Sequence, residues 1–142
     1  MSGVPYSRAL QFDADDGGSC FTLSAPIRGS ISRLIIVKTG GAGTLTSAVI
    51  YDREDACDND ISEQSFNLTD GNELLDRRVH QVTPLLTPTG GEIMEFEKSW
   101  SYLNQDEQVV PGRQNSKLYL KVTASGSVTL AVGYTIAVDE PS

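Results

Sequence analysis

The segment 52–60 contains five acidic side chains, and carboxylate oxygens are the ligands that Ca²⁺ prefers in proteins. The spacing does not match the EF-hand loop: counted from Asp58, the sixth position is not glycine and the twelfth is Thr69. A solvated acidic loop is therefore the preferred interpretation. If the loop binds calcium, we expect Asp55, Asp58 and Asp60 to hold the ion, and no other cofactor is predicted.

His80 is the one histidine of the chain, so a catalytic device that needs an imidazole would have to use it. No GxSxG motif accompanies it, and neither cysteine lies in a nucleophile motif. Glu95 and Glu97 would lie roughly 7 Å apart along a strand, whereas a retaining glycosidase holds its carboxyls about 5–5.5 Å apart. These patterns favour a protein that is not an enzyme. A small hydrolase that uses His80 or the two glutamates stays open as an alternative.

Trp100 and Tyr102 offer a different chemistry, because exposed aromatic rings can stack on sugars. They share one face of an extended segment with Met94 and Phe96, which favours packing in a core. A carbohydrate-binding or fibre-tip module, with calcium in the acidic loop, is therefore kept as the alternative function.

The glycine-rich residues 40–43 invite comparison with a phosphate-binding loop. Such a loop is followed by a helix, whereas residues 44–51 have the pattern of a strand. The glycines are therefore predicted to form the turn of a hairpin between residues 31–38 and 45–51.

The chain has 142 residues and a formal net charge of −8, from 11 basic and 19 acidic side chains. This length favours a single domain. The negative charge argues against nucleic acid as the main partner, because phosphate backbones repel it. The longest aliphatic run, residues 34–37, is far shorter than the ~20 residues of a membrane helix, so no membrane contact is predicted.

Two cysteines, Cys20 and Cys57, allow at most one disulfide. The N-terminal residues lack the apolar run of a signal peptide, which predicts synthesis in a reducing cytosol. Free thiols are the default in that compartment, so we expect Cys20 and Cys57 to be unpaired.

Short runs of alternating apolar and polar residues, separated by glycine and proline turns, dominate the sequence. Residues 31–38 are apolar on both faces at their centre, which predicts a central strand covered on each side. Residues 73–82 are the one helix candidate, although residues 77–82 could equally form an extended segment. We predict an all-β fold: a single-domain antiparallel β-sandwich or jelly-roll-like barrel of about seven to eight strands. Residues 1–18 are expected to form a flexible N-terminal arm, and residues 19–142 the β-sandwich domain.

The closing residues 118–138 are predicted to form a hairpin whose second strand alternates strictly. Large apolar residues occupy every second position of Val128–Val138, and that face is expected to meet the core. The other face carries no charged residue, so it requires a cover from this chain's own loops or from a neighbouring subunit. Its members are Thr129, Ala131, Gly133, Thr135 and Ala137.

The layout of residues 20–138 resembles that of the small decoration, or cement, proteins on the capsids of tailed phages. The similarity lies in the order of strands and turns and not in a diagnostic motif. It is carried by residues 30–37 with the 40–43 turn, by 102–105 leading to 117–121, and by the closing strand 127–134. It implies a non-enzymatic virion structural protein that binds the outer surface of a phage head and stabilises contacts between capsid subunits. Such a protein is located in the virion and is assembled in the host cytoplasm.

The resemblance implies two kinds of partner: the major capsid protein or another virion protein, and further copies of this chain, with a trimer favoured over a dimer. Acidic side chains would suit basic patches on the capsid exterior. We expect the interface with the capsid or a neighbouring subunit to draw on the two closing strands and the N-terminal arm. The residues concerned are Ala131, Gly133, Thr135, Tyr119, Lys121, Arg8 and Phe12.

Overall fold

The computed structural model describes residues 6–26, 28–52, 54–60, 63–65, 77–79, 81–103 and 115–138. Over these residues the chain is almost entirely strand, with one short helix, and the predicted all-β sandwich is confirmed. The elements in chain order are β1 (Tyr6–Ala14), β2 (Gly17–Pro26), β3 (Arg28–Gly40), β4 (Thr44–Tyr51), α1 (Glu54–Asn59), β5 (Glu63–Ser65), β6 (Arg77–Val79), β7 (Ile93–Phe96), β8 (Trp100–Leu103), β9 (Asn115–Ser125) and β10 (Val128–Val138).

Five strands form the larger sheet, which we call sheet A, in the order β1-β10-β3-β7, with β8 also paired to β3. All of these pairings are antiparallel. β10 pairs with β1 on one side and with β3 on the other. The far side of β3 is shared by β7, at residues 34–37, and by β8, at residues 28–31. The prediction that residues 31–38 form a central strand is therefore confirmed.

Three strands form the smaller sheet, sheet B, in the order β2-β9-β4. β9 is its centre: Leu120 lies opposite Phe21 of β2 and Ile50 of β4. A separate two-stranded pair joins β5 to β6. None of the helical structure in the described residues is long and apolar enough to span a membrane.

The core lies between the inward faces of sheets A and B, and alternate residues of every long strand enter it. Leu34, Ile36 and Leu130 from sheet A are 0% exposed, as are Ile50 and Leu120 from sheet B. Truncating such a residue to alanine typically costs about 2–5 kcal/mol, because a cavity remains. Period-two patterning thus has the same physical origin in both sheets: one face of each strand meets the core.

Three turns at one end of the sandwich carry the chain from one sheet to the other, at residues 15–16, 41–43 and 126–127. They pack on one another: Gly126 N–H donates to Oδ1 of Asp16 at 2.8 Å, and Gly43 N–H donates to the Ser127 carbonyl at 2.9 Å. A Cβ added to Gly43 would lie 2.5 Å from the carbonyl carbon of Gly126, so glycine is required for this approach.

The two predicted hairpins are wrong, because strands joined by these turns do not pair. β3 belongs to sheet A and β4 to sheet B, and the same is true of β10 and β9. Glycine-rich turns indicate where a chain changes direction, but whether the flanking strands bond to each other is decided by packing.

The structure also differs from the predicted N-terminal arm of residues 1–18. Tyr6–Ala14 is strand β1, which pairs with β10 over its full length, and Gly17 begins β2. The signal was present, since Tyr6, Leu10 and Phe12 alternate with polar residues, but Arg8 interrupts the apolar face.

The described residues of the helix candidate, 77–79 and 81–82, are not helical, which agrees with the extended alternative for residues 77–82. In the candidate segment 73–82, Arg77–Val79 forms β6, paired with Glu63–Ser65. In the described part of the chain the helix is α1, which lies in the acidic segment 52–60, where a loop is predicted.

Candidate functional site

The outward side of β10 carries three of the seven predicted interface residues, Ala131, Gly133 and Thr135. The large apolar residues on the inward side of β10 are buried, with Leu130 at 0% and Val132 at 1% exposure, which confirms the predicted alternation. Ala131, Gly133 and Thr135 point away from sheet B and are half-buried. These three residues therefore lie together on one outer surface of sheet A.

Small and aliphatic residues of neighbouring strands extend this surface. Ala131 pairs with Gln11 of β1 and Val37 of β3, and Val37 pairs in turn with Ile93 of β7. Gly133 has neighbours of the same kind on β1 and β3. We call the small and aliphatic members of these two rows the outer apolar face: Ala9, Ile35, Val37, Ile93, Ala131 and Gly133.

A shallow depression of about 460 Å³ lies above Gly133. Because glycine has no side chain, the sheet backbone is accessible there. A Cβ added to Gly133 would lie 3.1 Å from Cγ2 of Ile35, so even a methyl group would displace that side chain slightly. The lining residues of the depression are Ser7, Arg8, Ala9, Arg33, Ile35, Gly133, Tyr134 and Thr135.

Polar groups at the border of the outer apolar face are paired with one another. Arg33 lies 3.5 Å from Glu95, and their side chains are 52% and 51% exposed. The hydroxyls of Ser7 and Thr135 share a hydrogen bond of 3.0 Å. Exposed ion pairs contribute only about 0–1 kcal/mol to stability. The ion pair and the hydrogen bond form a polar rim around the apolar centre of this face.

Arg8 and Phe12, the predicted interface residues of β1, lie beside the outer apolar face and not on it. Phe12 turns towards sheet B and stacks on Phe21, with ring centroids 4.4 Å apart. The Arg8 guanidinium lies over the ring of Tyr6 at 4.1 Å. Both residues therefore mark the edge of the sandwich, where β1 ends sheet A.

Tyr134 lies under the same edge. Its hydroxyl donates to the Ser24 carbonyl at 2.6 Å. Burial raises the pKa of Tyr134 to about 12, and the neighbouring Tyr6 adds to this rise while Arg8 opposes it. Tyr134 is therefore protonated at neutral pH and supplies no base to the depression.

The other two predicted interface residues, Tyr119 and Lys121, lie on the outward side of sheet B, beneath α1. Nζ of Lys121 is 2.9 Å from a carboxylate oxygen of Asp60, and the lysine side chain is only 15% exposed. Tyr119 packs against the small buried cluster that includes Val49 and Tyr51. The structure thus separates these two residues from the outer apolar face and uses them for contacts within the chain.

Cys20 and Cys57 are joined by a disulfide that fastens α1 to β2, so the prediction of unpaired thiols is wrong. Their Cα atoms are 6.2 Å apart, within the usual range for disulfides. Cys57 is fully buried beside Val49 and Tyr51. The prediction rests on how often disulfides occur in reducing compartments, which does not decide an individual case. The two cysteines are 37 residues apart in sequence, and only the fold shows that α1 lies over β2.

The carboxylate of Asp60, in the acidic segment, makes contacts within the chain. Asp60 pairs with Lys121 and also accepts a hydrogen bond from the Tyr51 hydroxyl. Burial, with the charge of Asp60, raises the pKa of Tyr51 above its usual 10.0. Asp58 is exposed, and the side chain of Asp55 lies outside the described residues. In the part of the chain that the structure describes, no group of three His, Cys, Asp or Glu side chains is placed to hold a metal ion.

The aromatic pair of the carbohydrate alternative is divided between core and surface. Tyr102 is 7% exposed, and its hydroxyl donates to the Pro26 carbonyl at 2.9 Å, so its predicted packing in the core is confirmed. Trp100 is half-buried and packs edge-on against Phe96, with centroids 5.9 Å apart. With Leu85, these two rings help to line a second depression of about 230 Å³.

The two glutamates of the hydrolase alternative do not line a cleft formed by the described residues. Glu95 is exposed and pairs with Arg33, and Glu97 follows the end of β7. Neither glutamate lines either of the two depressions. His80 lies outside the described residues.

The sequence interpretation missed four members of the outer apolar face: Ala9, Ile35, Val37 and Ile93. A signal existed for two of them, because residues 34–37 are apolar on both faces of the strand. That pattern predicts cover on both sides, yet Ile35 and Val37 are left half-buried. Ile93 and Ala9 could be recognised only once the order of the strands in sheet A was known.

The sequence matches no protein-family profile and no curated protein. Among solved structures, the chain is similar to infectious bursal disease virus, Gx strain (17% identity, TM-score 0.37), and to the VP2 subviral particle of that virus (16%, 0.37). A mutant VP2 protein of the same virus in derived T=1 particles gives 15% and 0.39. Each alignment covers 96% of this chain but only 32–34% of the other, so the chain spans about a third of the proteins that it matches. At such TM-scores the similarity carries no argument about function.

Proposed function

We propose that this chain is a non-enzymatic structural protein of a virion, a decoration or cement protein bound to the outer surface of a phage head. Its outer apolar face contacts the major capsid protein, and this contact holds neighbouring capsid subunits together. The observation that carries the proposal is the exposed side of β3, where Ile35 and Val37 bring an apolar strand centre to the surface beside Ile93, which is 46% exposed.

A strand that is apolar on both faces is typical of a sheet covered on both sides. Leu34 and Ile36 have that cover, at 0% exposure, while Ile35 and Val37, which alternate with them along the strand, are half-buried. Fully burying one aliphatic side chain contributes roughly 1.5–3 kcal/mol relative to leaving it exposed. A second layer of protein over the outer apolar face would therefore contribute substantially to binding.

The shape of the outer apolar face also suits a protein partner. Ala9, Ala131 and Gly133 have no bulky side chain, so the backbone of a partner can approach the sheet closely. Arg33 and Glu95 stand at the border and remain partly exposed. An apolar centre with a polar rim is the common anatomy of protein interfaces.

The two sheets differ in how their outward sides are covered. α1 packs on β9, β2 and β4 of sheet B and is fixed there by the Cys20–Cys57 disulfide. The outer apolar face of sheet A remains exposed or half-buried. The net charge of −8 favours a partner surface with basic patches, and binding to it would weaken as salt concentration rises.

The test is co-sedimentation of the purified chain with empty capsids assembled from the major capsid protein of the same genome. We expect saturable binding that Ala131→Lys weakens at least about tenfold, because an ammonium group would be buried in an apolar contact. Thr22→Lys is the matched control, since it adds the same charge at an exposed strand position of sheet B. Capsids that bind none of these proteins, or all of them equally, contradict the proposal.

A carbohydrate-binding or fibre-tip module is the second candidate, and the depression beside Trp100 is the observation that favours it. Leu85, which lines the same depression, is 63% exposed. Glycan-array binding by the parent chain that disappears in Trp100→Ala, together with no binding to capsids, would replace the virion proposal with this one.

A further inference from the structure

β1 forms an open edge of sheet A. Among the described strands it pairs with β10 alone. The pairing runs from Tyr6 to Ala14 without a bulge, and the nine residues of β1 include no proline and no glycine. Its one basic residue, Arg8, lies over the ring of Tyr6 in the same strand. A regular edge of this kind presents a row of N–H and C=O groups that can pair with another strand.

The core is incompletely covered at the same edge. Leu10 and Phe12 of β1 are half-buried, and so is Phe21 of β2, on which Phe12 stacks. Their direct neighbours on β10, Val132 and Leu130, are 1% and 0% exposed. One more strand beyond β1 would give Leu10 and Phe12 the cover that the β10 residues have.

We propose that this strand is β1 of a second copy of the chain, paired antiparallel about a two-fold axis at Leu10. This register pairs all nine residues of β1, from Tyr6 opposite Ala14 of the partner subunit to Leu10 opposite Leu10 of the partner subunit. The two half-buried leucines meet on the axis. Sheet A then continues from one subunit into the next as a single antiparallel sheet.

The charges of β1 favour this arrangement. Arg8 and Asp13 are its two charged residues, and they lie near opposite ends. In the antiparallel register Arg8 faces Phe12 of the partner subunit, whose ring can accept both the aliphatic stem and the guanidinium. Asp13 faces Ser7 of the partner subunit, which offers a hydroxyl donor. Parallel self-pairing would set like charges side by side, which is destabilising.

The pairing does not depend on the virion assignment, because capsid binding uses the outer apolar face and dimerisation uses the strand edge. In this register the outward-facing residues of one β1 lie opposite outward-facing residues of the other. The outer apolar faces of the two subunits therefore lie side by side on one surface of the extended sheet. The arrangement is a two-fold dimer, whereas the resemblance stated from the sequence favours a trimer.

Light scattering on a size-exclusion column, over a range of concentrations, is the first test. We expect a mass near 31 kDa, twice the 15.3 kDa of one chain. Leu10→Lys would place two ammonium groups face to face on the axis and should give the mass of one chain. Leu85→Lys is the control, because it makes the same substitution at a site that is 63% exposed and far from β1 in sequence. It should remain dimeric.

Oxidative cross-linking tests the register with variants that place no charge on the two-fold axis. Leu10→Cys should form an intermolecular disulfide, because directly opposite residues have Cβ atoms about 4.5–5.5 Å apart. Asp13→Cys should not, because the two copies of residue 13 would be six residues apart along the strand, roughly 20 Å. A chain that is monomeric up to about 1 mM, or a dimer that fails to cross-link through Leu10→Cys, overturns the inference.

Discussion

The Cys20–Cys57 disulfide should be the main restraint that holds α1 on sheet B. The helix has six residues, and helices of this length do not persist without tertiary contacts. The half-cystines are 37 residues apart, and closing a loop of that length in the unfolded chain corresponds to about 4 kcal/mol of stabilisation in the chain-entropy treatment.

This free energy converts into a measurable shift of the melting temperature. An unfolding entropy of about 2.1 cal/mol/K per residue gives roughly 0.3 kcal/mol/K for 142 residues. Loss of about 4 kcal/mol should therefore lower Tm by about 13 °C. Part of the loss should be local, because Val49, Tyr51 and the Lys121–Asp60 pair lie beneath or beside α1.

Differential scanning calorimetry of the parent chain and of a Cys20→Ala/Cys57→Ala double variant, each with and without dithiothreitol, measures the effect. Dithiothreitol should lower the Tm of the parent to near that of the variant and leave the variant unchanged. A thiol titration of the denatured, unreduced parent should find no free thiol. Two free thiols in that sample, or a reduced parent whose Tm falls by less than about 3 °C, would refute the reasoning.

Two further predictions concern the packed end of the sandwich and the buried tyrosine. Gly43→Ala should lower the free energy of unfolding in urea by about 2–3 kcal/mol, because its Cβ would overlap the Gly126 backbone. The control is Gly40→Ala, whose Cβ would be 3.6 Å from Thr129 and which should change that free energy by less than about 0.5 kcal/mol. Equal effects of the two substitutions would contradict this account of the turns. The pKa of Tyr134 is raised to about 12 from 10.0, so the resulting stability is complete below pH 10 and is lost as pH rises from 10 towards 12. Urea unfolding over that pH range should therefore show a shallower fall for Tyr134→Phe, and identical slopes would show that the phenol is not involved.

Strand positions could be predicted because burial of one face imposes a period of two residues. In β10 the large residues Leu130 and Val132 identify the buried face without any knowledge of the partner strands. The same reasoning fails for β1, where Arg8 occupies an inward position at an open sheet edge and obscures the period.

Sheet membership could not be predicted, because a turn of three residues serves a hairpin and a crossing between sheets equally well. Residues 41–43 and 126–127 are crossings because β3 and β10 lie in sheet A, whereas β4 and β9 lie in sheet B. The candidate site depends on that membership. Gly133 and Thr135 were recognisable from their own strand, but Ile93 joins them only through the order β10-β3-β7.

The strand order also determines when each sheet can form during synthesis. β9 is the centre of sheet B, and both β2 and β4 pair with it alone among the described strands. β10 likewise joins β1 to β3. At about 5–20 residues per second, β1 to β4 leave the ribosome seconds before the two central partner strands β9 and β10, at residues 115–138, exist. The emerging chain therefore carries unpaired apolar strands that must avoid association with one another or with other chains until the last strands arrive.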